Sequence, residues 1–189
     1  MYSALFTLIS AIHPLTPQIE FTLSDLLQKE TLPKKTLLLT EGAICDRLYF
    51  IEKGMARAFY FKHEQEITAW CMQENDLTVS VYSFFTQKPR YENIELLEDS
   101  TLISIGYSDL QNMYRDFPEF NIFGRVLTEN YYVKSEERTI SLRMLTSQER
   151  YHLLLESNPA IFNRVALKYI ASYLGMTPET LSRLRAKTR

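Results

Sequence analysis

The segment from Val165 to Arg185 has the residue pattern of two short helices joined by a tight turn. Ala171 is small enough for two helices to cross closely, and Gly175, four residues later, can adopt the left-handed backbone that ends a helix. Thr177 and Pro178 then fit the N-cap and the first position of a second helix. The apolar residues that would lock the pair together are Ile170, Leu174, Met176, Leu181 and Leu184. This pattern predicts a helix-turn-helix, a unit that commonly places its second helix in the major groove of DNA.

The second of these helices carries side chains that suit DNA. Arginine commonly binds guanine and glutamate can accept from cytosine N4, so Arg183 and Glu179 are the candidate base contacts. Serine, threonine and lysine suit phosphates. The predicted DNA-binding residues are Thr177, Glu179, Thr180, Ser182, Arg183 and Lys187. The alternative is an ordinary helical hairpin whose polar side chains face water.

Charge is divided unevenly along the 189 residues. Residues 1–137 hold 12 Lys and Arg against 20 Asp and Glu, whereas residues 138–189 hold 9 against 3. An acidic body with a basic helical end favours contact between that end and a polyanion. Charge alone also allows a chance division on a solvated surface.

The apolar pattern upstream changes from helical to strand-like. The first 30 residues predict helices with breaks at His13-Pro14 and Thr16-Pro17. From Thr36 to Gly106, short apolar runs separated by turn residues predict a small antiparallel sandwich or barrel. Two of these runs flank Glu52-Lys53-Gly54, a spacing that predicts a hairpin. The next helix is expected to begin with a capping box formed by Ser108 and Gln111.

A long helix is predicted to begin near Pro118, which suits a first helical turn. Residues spaced alternately by three and four form a heptad seam: Phe123, Val126, Asn130, Val133, Glu137, Ile140 and Met144. The seam predicts a helix that pairs two copies of the chain. The alternative is a helix packed on its own domain with its polar members in water.

These features resemble the Crp/Fnr family of transcription regulators. The resemblance rests on LLLTEGAICDRLYFIEKGMARAFYF at 37–61, the loop at Arg90, the long helix after Pro118, and IASYLGMTPETLSRLR at 170–185. It implies a dimeric DNA-binding transcription regulator whose partners are double-stranded DNA, a second copy of the chain and RNA polymerase.

The resemblance also implies an α+β architecture in three parts. Residues 1–117 would form an antiparallel, jelly-roll-like β-roll flanked by helices and able to hold a small effector. Residues 118–144 would form the dimerisation helix. Residues 145–189 would form the helix-turn-helix domain with a reduced or absent wing, because only Asn158 to Arg164 separate two of its helices.

The effector site departs from the family pattern. Relatives that bind cyclic nucleotides carry a Gly-Glu pair about ten residues before an Arg-Ser/Thr-Ala segment. Here Arg90 is present, but Glu92 lies close to it in sequence, and Val79 and Ser80 occupy the Gly-Glu positions. A branched valine obstructs close backbone approach, and serine is too short to replace the glutamate. We therefore expect an effector other than cyclic AMP, either a small anion at Arg90 or a pocket filled by aromatic side chains such as Tyr82, Phe84 and Phe85.

Other classes of function find little support. Cys45, Cys71 and three scattered histidines supply neither an iron–sulfur cluster nor a zinc site, so we expect reduced thiols and no metal. No nucleophile elbow, P-loop or paired carboxylates indicate an enzyme. The apolar stretch from Ala4 to Ile12 is too short for a bilayer, and we expect a cytoplasmic protein. A cyclic-nucleotide-binding regulatory protein, a regulatory subunit of an enzyme, and an effector module whose helical tail docks on a protein remain alternatives.

Overall fold

A β-roll forms the centre of the molecule in the computed structural model, which describes residues 2–188. Its strands are β1 (Gln28–Leu32), β2 (Leu37–Leu39), β3 (Arg47–Lys53), β4 (Ala56–Lys62), β5 (Gln65–Met72), β6 (Leu77–Thr78), β7 (Asn93–Leu96) and β8 (Ser100–Gly106). The first sheet has the strand order β1-β8-β3-β6 and the second has β2-β7-β4-β5, with antiparallel pairing throughout. The predicted α+β fold with an antiparallel roll is confirmed.

Helices flank the roll and form the C-terminal third of the chain. They are α1 (Ser3–Ser10), α2 (Pro17–Leu26), α3 (Val81–Thr86), α4 (Tyr107–Asp116), α5 (Asn121–Met144), α6 (Ser147–Ser157), α7 (Ile161–Arg164), α8 (Leu167–Tyr173) and α9 (Pro178–Thr188). A 3₁₀ turn at Pro118–Phe120 leads into α5. None of the helices within residues 2–188 combines the length and the hydropathy that a membrane span requires.

The predicted hairpin around Gly54 is wrong, because β3 and β4 belong to different sheets. Gly54 has φ +112°, and a Cβ there would lie 2.1 Å from the hydroxyl oxygen of Ser100. The turn therefore presses against β8 and carries the chain from one sheet to the other. The true hairpin joins β4 to β5 through His63 and Glu64, both with positive φ, the geometry of a two-residue hairpin turn.

The predicted capping box at Ser108 and Gln111 is also wrong. Helix α4 begins at Tyr107 directly after β8, and no side chain caps it. A capping box does occur at α6, where the Thr146 hydroxyl accepts from the Glu149 amide at 3.3 Å and Glu149 accepts from the Thr146 amide at 2.8 Å.

The first position of the predicted heptad seam lies in the interior. Phe123 is 2% exposed, and its ring centroid lies 5.2 Å from that of Phe120 within the main hydrophobic cluster. It is therefore wrong as a dimer contact. Farther along α5 the apolar seam residues are open to solvent, with Val133 and Ile140 each 55% exposed and Met144 76% exposed.

Candidate nucleic-acid interface and effector site

Helices α8 and α9 and the turn between them lie where the sequence predicts. Gly175 has φ +64°, its amide donates to the Ser172 carbonyl, and the Met176 amide donates to the Ala171 carbonyl, both at 3.0 Å. This pair of bonds is the Schellman arrangement that ends a helix at a left-handed residue. Ala171 and Leu181 are fully buried at the crossing of the two helices. The angle between α8 and α9 is thus fixed by packing as well as by the turn.

Arg150 of α6 binds the carbonyl groups of this turn, a role that the sequence does not reveal. Its guanidinium donates to the carbonyl of Leu174 at 2.7 Å, to that of Gly175 at 3.3 Å, and to that of Leu145 at the end of α5. Arginine commonly satisfies the last carbonyls of a helix in this way. The side chain therefore links α5, α6 and the turn. The sequence does not reveal this contact because an arginine in an amphipathic helix is usually exposed to solvent.

The N-terminus of α9 is capped as predicted. The Thr177 hydroxyl accepts from the Thr180 amide at 3.3 Å, and Pro178 opens the helix. The pKa of Glu179 is lowered by its own backbone amide, by Thr177 and by Arg183, in that order of effect. Glu179 is therefore a carboxylate at the positive end of the helix dipole, where it can accept hydrogen bonds.

The predicted DNA-binding residues are mostly on the open side of α9. Four of the helical members are exposed: Glu179, Ser182, Arg183 and Lys187. Thr177 is exposed as well, whereas Thr180 is half-buried and hydrogen-bonded to the Thr177 hydroxyl at 3.2 Å and to Arg183 at 3.3 Å. The exposed group offers one carboxylate, two cations and two hydroxyls to a ligand outside the chain.

The region between α6 and α8, where the sequence predicts a reduced or absent wing, is short and helical. It forms α7, and within residues 2–188 no strand follows Gly106. Arg164, at the end of α7, points back to the roll and binds acidic side chains there. No pattern in the sequence indicates this contact.

At the predicted effector site, the Arg90 side chain is held by its neighbours. Its guanidinium carbon lies 4.3 Å from the ring centroid of Tyr82 and 4.2 Å from that of Tyr91, and it donates to the Tyr91 hydroxyl at 2.8 Å. The Arg90 carbonyl accepts from the Gly42 amide at 2.8 Å. Of the other predicted aromatic residues, Phe84 lies in the core and Phe85 is exposed.

Of the remaining predicted effector residues, Ser80 lies beside the carboxyl group of Glu92. Ser80 is fully buried and Val79 packs half-buried against the main hydrophobic cluster. Burial raises the pKa of Glu92, and Ser80 and Arg90 act in the opposite direction. Arg90, Ser80 and Glu92 are therefore neighbours, and the acidic group makes the site less favourable for a phosphate.

Two surface cavities lie away from Arg90. One of about 290 Å³ lies between β5, α5 and α8 and includes Trp70 and Arg138 in its walls. The other, of about 560 Å³, lies along α6 beside His152 and Leu153. Arg90, Val79 and Ser80 line neither of them.

The roll is similar in sequence to a known domain family. Residues 29–117 match the family model described as the cyclic nucleotide-binding domain. No curated protein sequence matches the chain significantly.

Solved structures match over most of the chain. FixK2 from Bradyrhizobium japonicum is 15% identical, with a TM-score of 0.74 over 85% of this chain and 83% of that one. The c-di-GMP responsive regulator CLP from Xanthomonas campestris is 15% identical, with a TM-score of 0.72 over 92% and 91%. A protein from Eubacterium rectale assigned to the crp/fnr family is 18% identical, with a TM-score of 0.70 over 92% and 83%. At these identities the likeness establishes a shared fold.

Proposed function

We propose that this chain, which contains a cyclic nucleotide-binding domain and has the fold of Crp/Fnr regulators, is a dimeric transcription regulator that binds double-stranded DNA through α9. The observation that carries the proposal is the geometry of α9. Its N-terminus is capped, its apolar side is buried, and its open side carries Glu179, Arg183 and Lys187. A helix with these properties, joined to its partner by a short turn, suits the major groove.

Dimerisation through α5 forms the second part of the proposal. Val133, Ile140 and Met144 recur at heptad spacing on α5 and are all exposed in the single chain. Exposed apolar residues in such a row favour burial against a second copy. A two-fold pair would present two α9 helices, so the preferred DNA would be an inverted repeat with half-sites about one helical turn apart.

The roll would respond to something other than cyclic AMP. The Arg90 guanidinium is already stacked and hydrogen-bonded, and the carboxyl group of Glu92 is close enough to interact with its charge. This arrangement favours two alternatives. Either a small anion binds Arg90 by displacing Tyr91, or the roll binds no ligand. We place the protein in the cytoplasm with DNA and RNA polymerase as partners.

Selection of duplexes from a random pool, followed by fluorescence anisotropy on the selected duplex, tests the proposal. Arg183→Ala should lower specific affinity by about 1–3 kcal/mol and relax the base preference at one position of each half-site. Arg115→Ala is the matched control, since Arg115 is exposed on α4 and paired with Asp116. Equal affinities of the unaltered protein and Arg183→Ala would show that α9 is not the recognition helix.

A further inference from the structure

The helix-turn-helix is packed on the roll by contacts along β5, the end strand of the second sheet. The Ser172 hydroxyl of α8 accepts from the Thr68 amide at 2.9 Å and donates to the Glu66 carbonyl at 3.3 Å. Thr68 is only 1% exposed. Helix α8 therefore covers part of a strand edge whose amides and carbonyls would otherwise need water.

A buried cation lies under the same helix. Arg57 of β4 is 1% exposed, and its guanidinium carbon lies 3.9 Å from the ring centroid of Phe59 and 3.6 Å from that of Tyr169 in α8. It forms ion pairs of 2.7 Å with Glu66 and with Glu95. Tyr169 thus closes one side of a charged cluster that belongs to the roll.

Arg164 forms an extensive polar contact between the roll and the helix-turn-helix. It donates to both carboxylate oxygens of Glu74 at 2.8 Å, to Glu98, and to the Gly54 carbonyl at 3.1 Å. These partners lie in three different turns of the roll, β5–β6, β7–β8 and β3–β4. Only a planar guanidinium has enough donors in fixed directions to bind all three at once.

The hydrophobic core of the helix-turn-helix also includes residues of the roll. Met55 and Leu97 are buried in one cluster with Ile170, Leu174 and Leu181. The packing of α8 and α9 therefore depends on the turns that Arg164 holds.

We propose that Arg164, with Glu74 and Glu98, is a positioning residue for DNA binding: it fixes the helix-turn-helix on the roll with the recognition helix α9 facing outward. The inference rests on the proposed function. The open side of α9 is exposed in this docked arrangement, so docking leaves the DNA-binding residues accessible. If the contact is weakened, a smaller fraction of the protein has α9 in the competent orientation, and the apparent affinity falls by that fraction.

Two variants separate positioning from simple charge. Glu74→Gln removes a negative charge from the chain, so electrostatics alone predicts tighter binding to DNA, whereas loss of positioning predicts weaker binding. Arg164→Lys keeps the charge but loses the forked donors. Glu30→Gln, at an exposed position of β1, and Arg115→Lys, on α4, are the matched controls.

The experiment measures affinity for the selected duplex at several salt concentrations, together with hydrogen exchange at the Thr68 amide. Glu74→Gln and Arg164→Lys should each bind about fivefold or more weakly, with the salt slope unchanged because no phosphate contact is lost. The Thr68 amide, which bonds to Ser172 across the interface, should exchange faster in both. Arg115→Lys should match the unaltered protein, and Glu30→Gln should bind at least as tightly as the unaltered protein.

Other outcomes would overturn the inference in distinguishable ways. Tighter binding by Glu74→Gln with unchanged binding by Arg164→Lys would mean that Glu74 acts only through its charge. Tighter binding by both variants would mean that the docked arrangement opposes DNA binding. Unchanged Thr68 exchange would mean that Arg164 does not hold the interface, and unchanged affinity with faster exchange would mean that docking does not position α9. If the unaltered protein binds no duplex, the proposed function itself fails.

Discussion

Replacing Gly54 with alanine should combine two separate destabilising effects. The φ of +112° is unfavourable for any residue with a Cβ, at a cost of about 1–2 kcal/mol. The new Cβ would also lie 2.8 Å from the Ser100 Cα, a backbone atom that cannot rotate away, and such overpacking costs about 1–3 kcal/mol. The expected loss in free energy of unfolding is therefore about 2–5 kcal/mol.

Gly42→Ala is the matched control for this prediction. Gly42 has φ +82°, but a Cβ there would have no heavy atom within 4 Å, so only the backbone cost of about 1–2 kcal/mol should remain. Urea unfolding of both variants measures the difference from the shift in midpoint. Equal destabilisation of the two variants would refute the packing argument at Ser100.

Gly54→Ala should also weaken DNA binding more than Gly42→Ala does. The Gly54 amide donates to Glu74 at 2.9 Å and its carbonyl accepts from Arg164 at 3.1 Å. A shift of this turn away from Ser100 therefore moves two of the groups that dock the helix-turn-helix. DNA binding is measured below the urea concentration at which Gly54→Ala unfolds. Weaker binding by this variant would support the connection between the Gly54 turn and the docking of the helix-turn-helix.

Three further results are expected. Ser172→Ala leaves the buried Thr68 amide without its partner and should cost about 1–3 kcal/mol in thermal unfolding; a loss below about 0.5 kcal/mol would contradict the contact. The Arg164 side chain holds the pKa of Glu74 at about 2, against an ordinary value of 4.5. The contribution of this contact to the free energy of unfolding is therefore fully present above pH 4.5 and is lost as the pH falls toward 2. The stability difference between the unaltered protein and Glu74→Gln should shrink over that window, and a constant difference would contradict the assignment. Val133→Glu with Ile140→Glu should sediment as a monomer, and a persistent dimer would place the interface elsewhere.

The helix-turn-helix could be predicted because its determinants act locally. Ala171, Gly175, Thr177 and Pro178 each act through bonds or contacts within a few residues, and the structure reproduces the turn and the cap. The prediction at Gly54 was wrong because local residue types do not show which strands pair. A glycine between two apolar runs fits a hairpin as well as it fits a crossing between sheets, and the pairing of β3 and β4 with different strands decides between the two.

The groups that join the two parts of the molecule could not be predicted because their partners are distant in sequence. Arg164 and Glu74 are 90 residues apart, and Ser172 and Thr68 are 104 apart. Arg57 lies in a strand with no pattern that marks it as buried. Each of these side chains is common on a solvated surface, so composition and periodicity carry no information about them.

The predicted effector site stays a prediction, and the arrangement of its residues depends on side-chain packing. The sequence puts Val79, Ser80 and Arg90 in the expected order, and the structure brings Ser80 and Arg90 together around Glu92. The stacking of Arg90 between two tyrosines follows from the path of α3 and the following loop. Calorimetry with cyclic AMP should therefore detect no low-micromolar binding, and binding that Arg90→Ala abolishes would contradict this description.

The salt dependence of binding to the selected duplex tests the central claim most directly. If Arg183, Lys187 and their neighbours bind DNA, the logarithm of the association constant should fall linearly with the logarithm of salt concentration, by about 0.9 per phosphate neutralised. Lys187→Ala should reduce that slope by about 1 per protein copy bound. Affinity that is independent of salt, or a slope that Lys187→Ala leaves unchanged, would contradict DNA binding through α9.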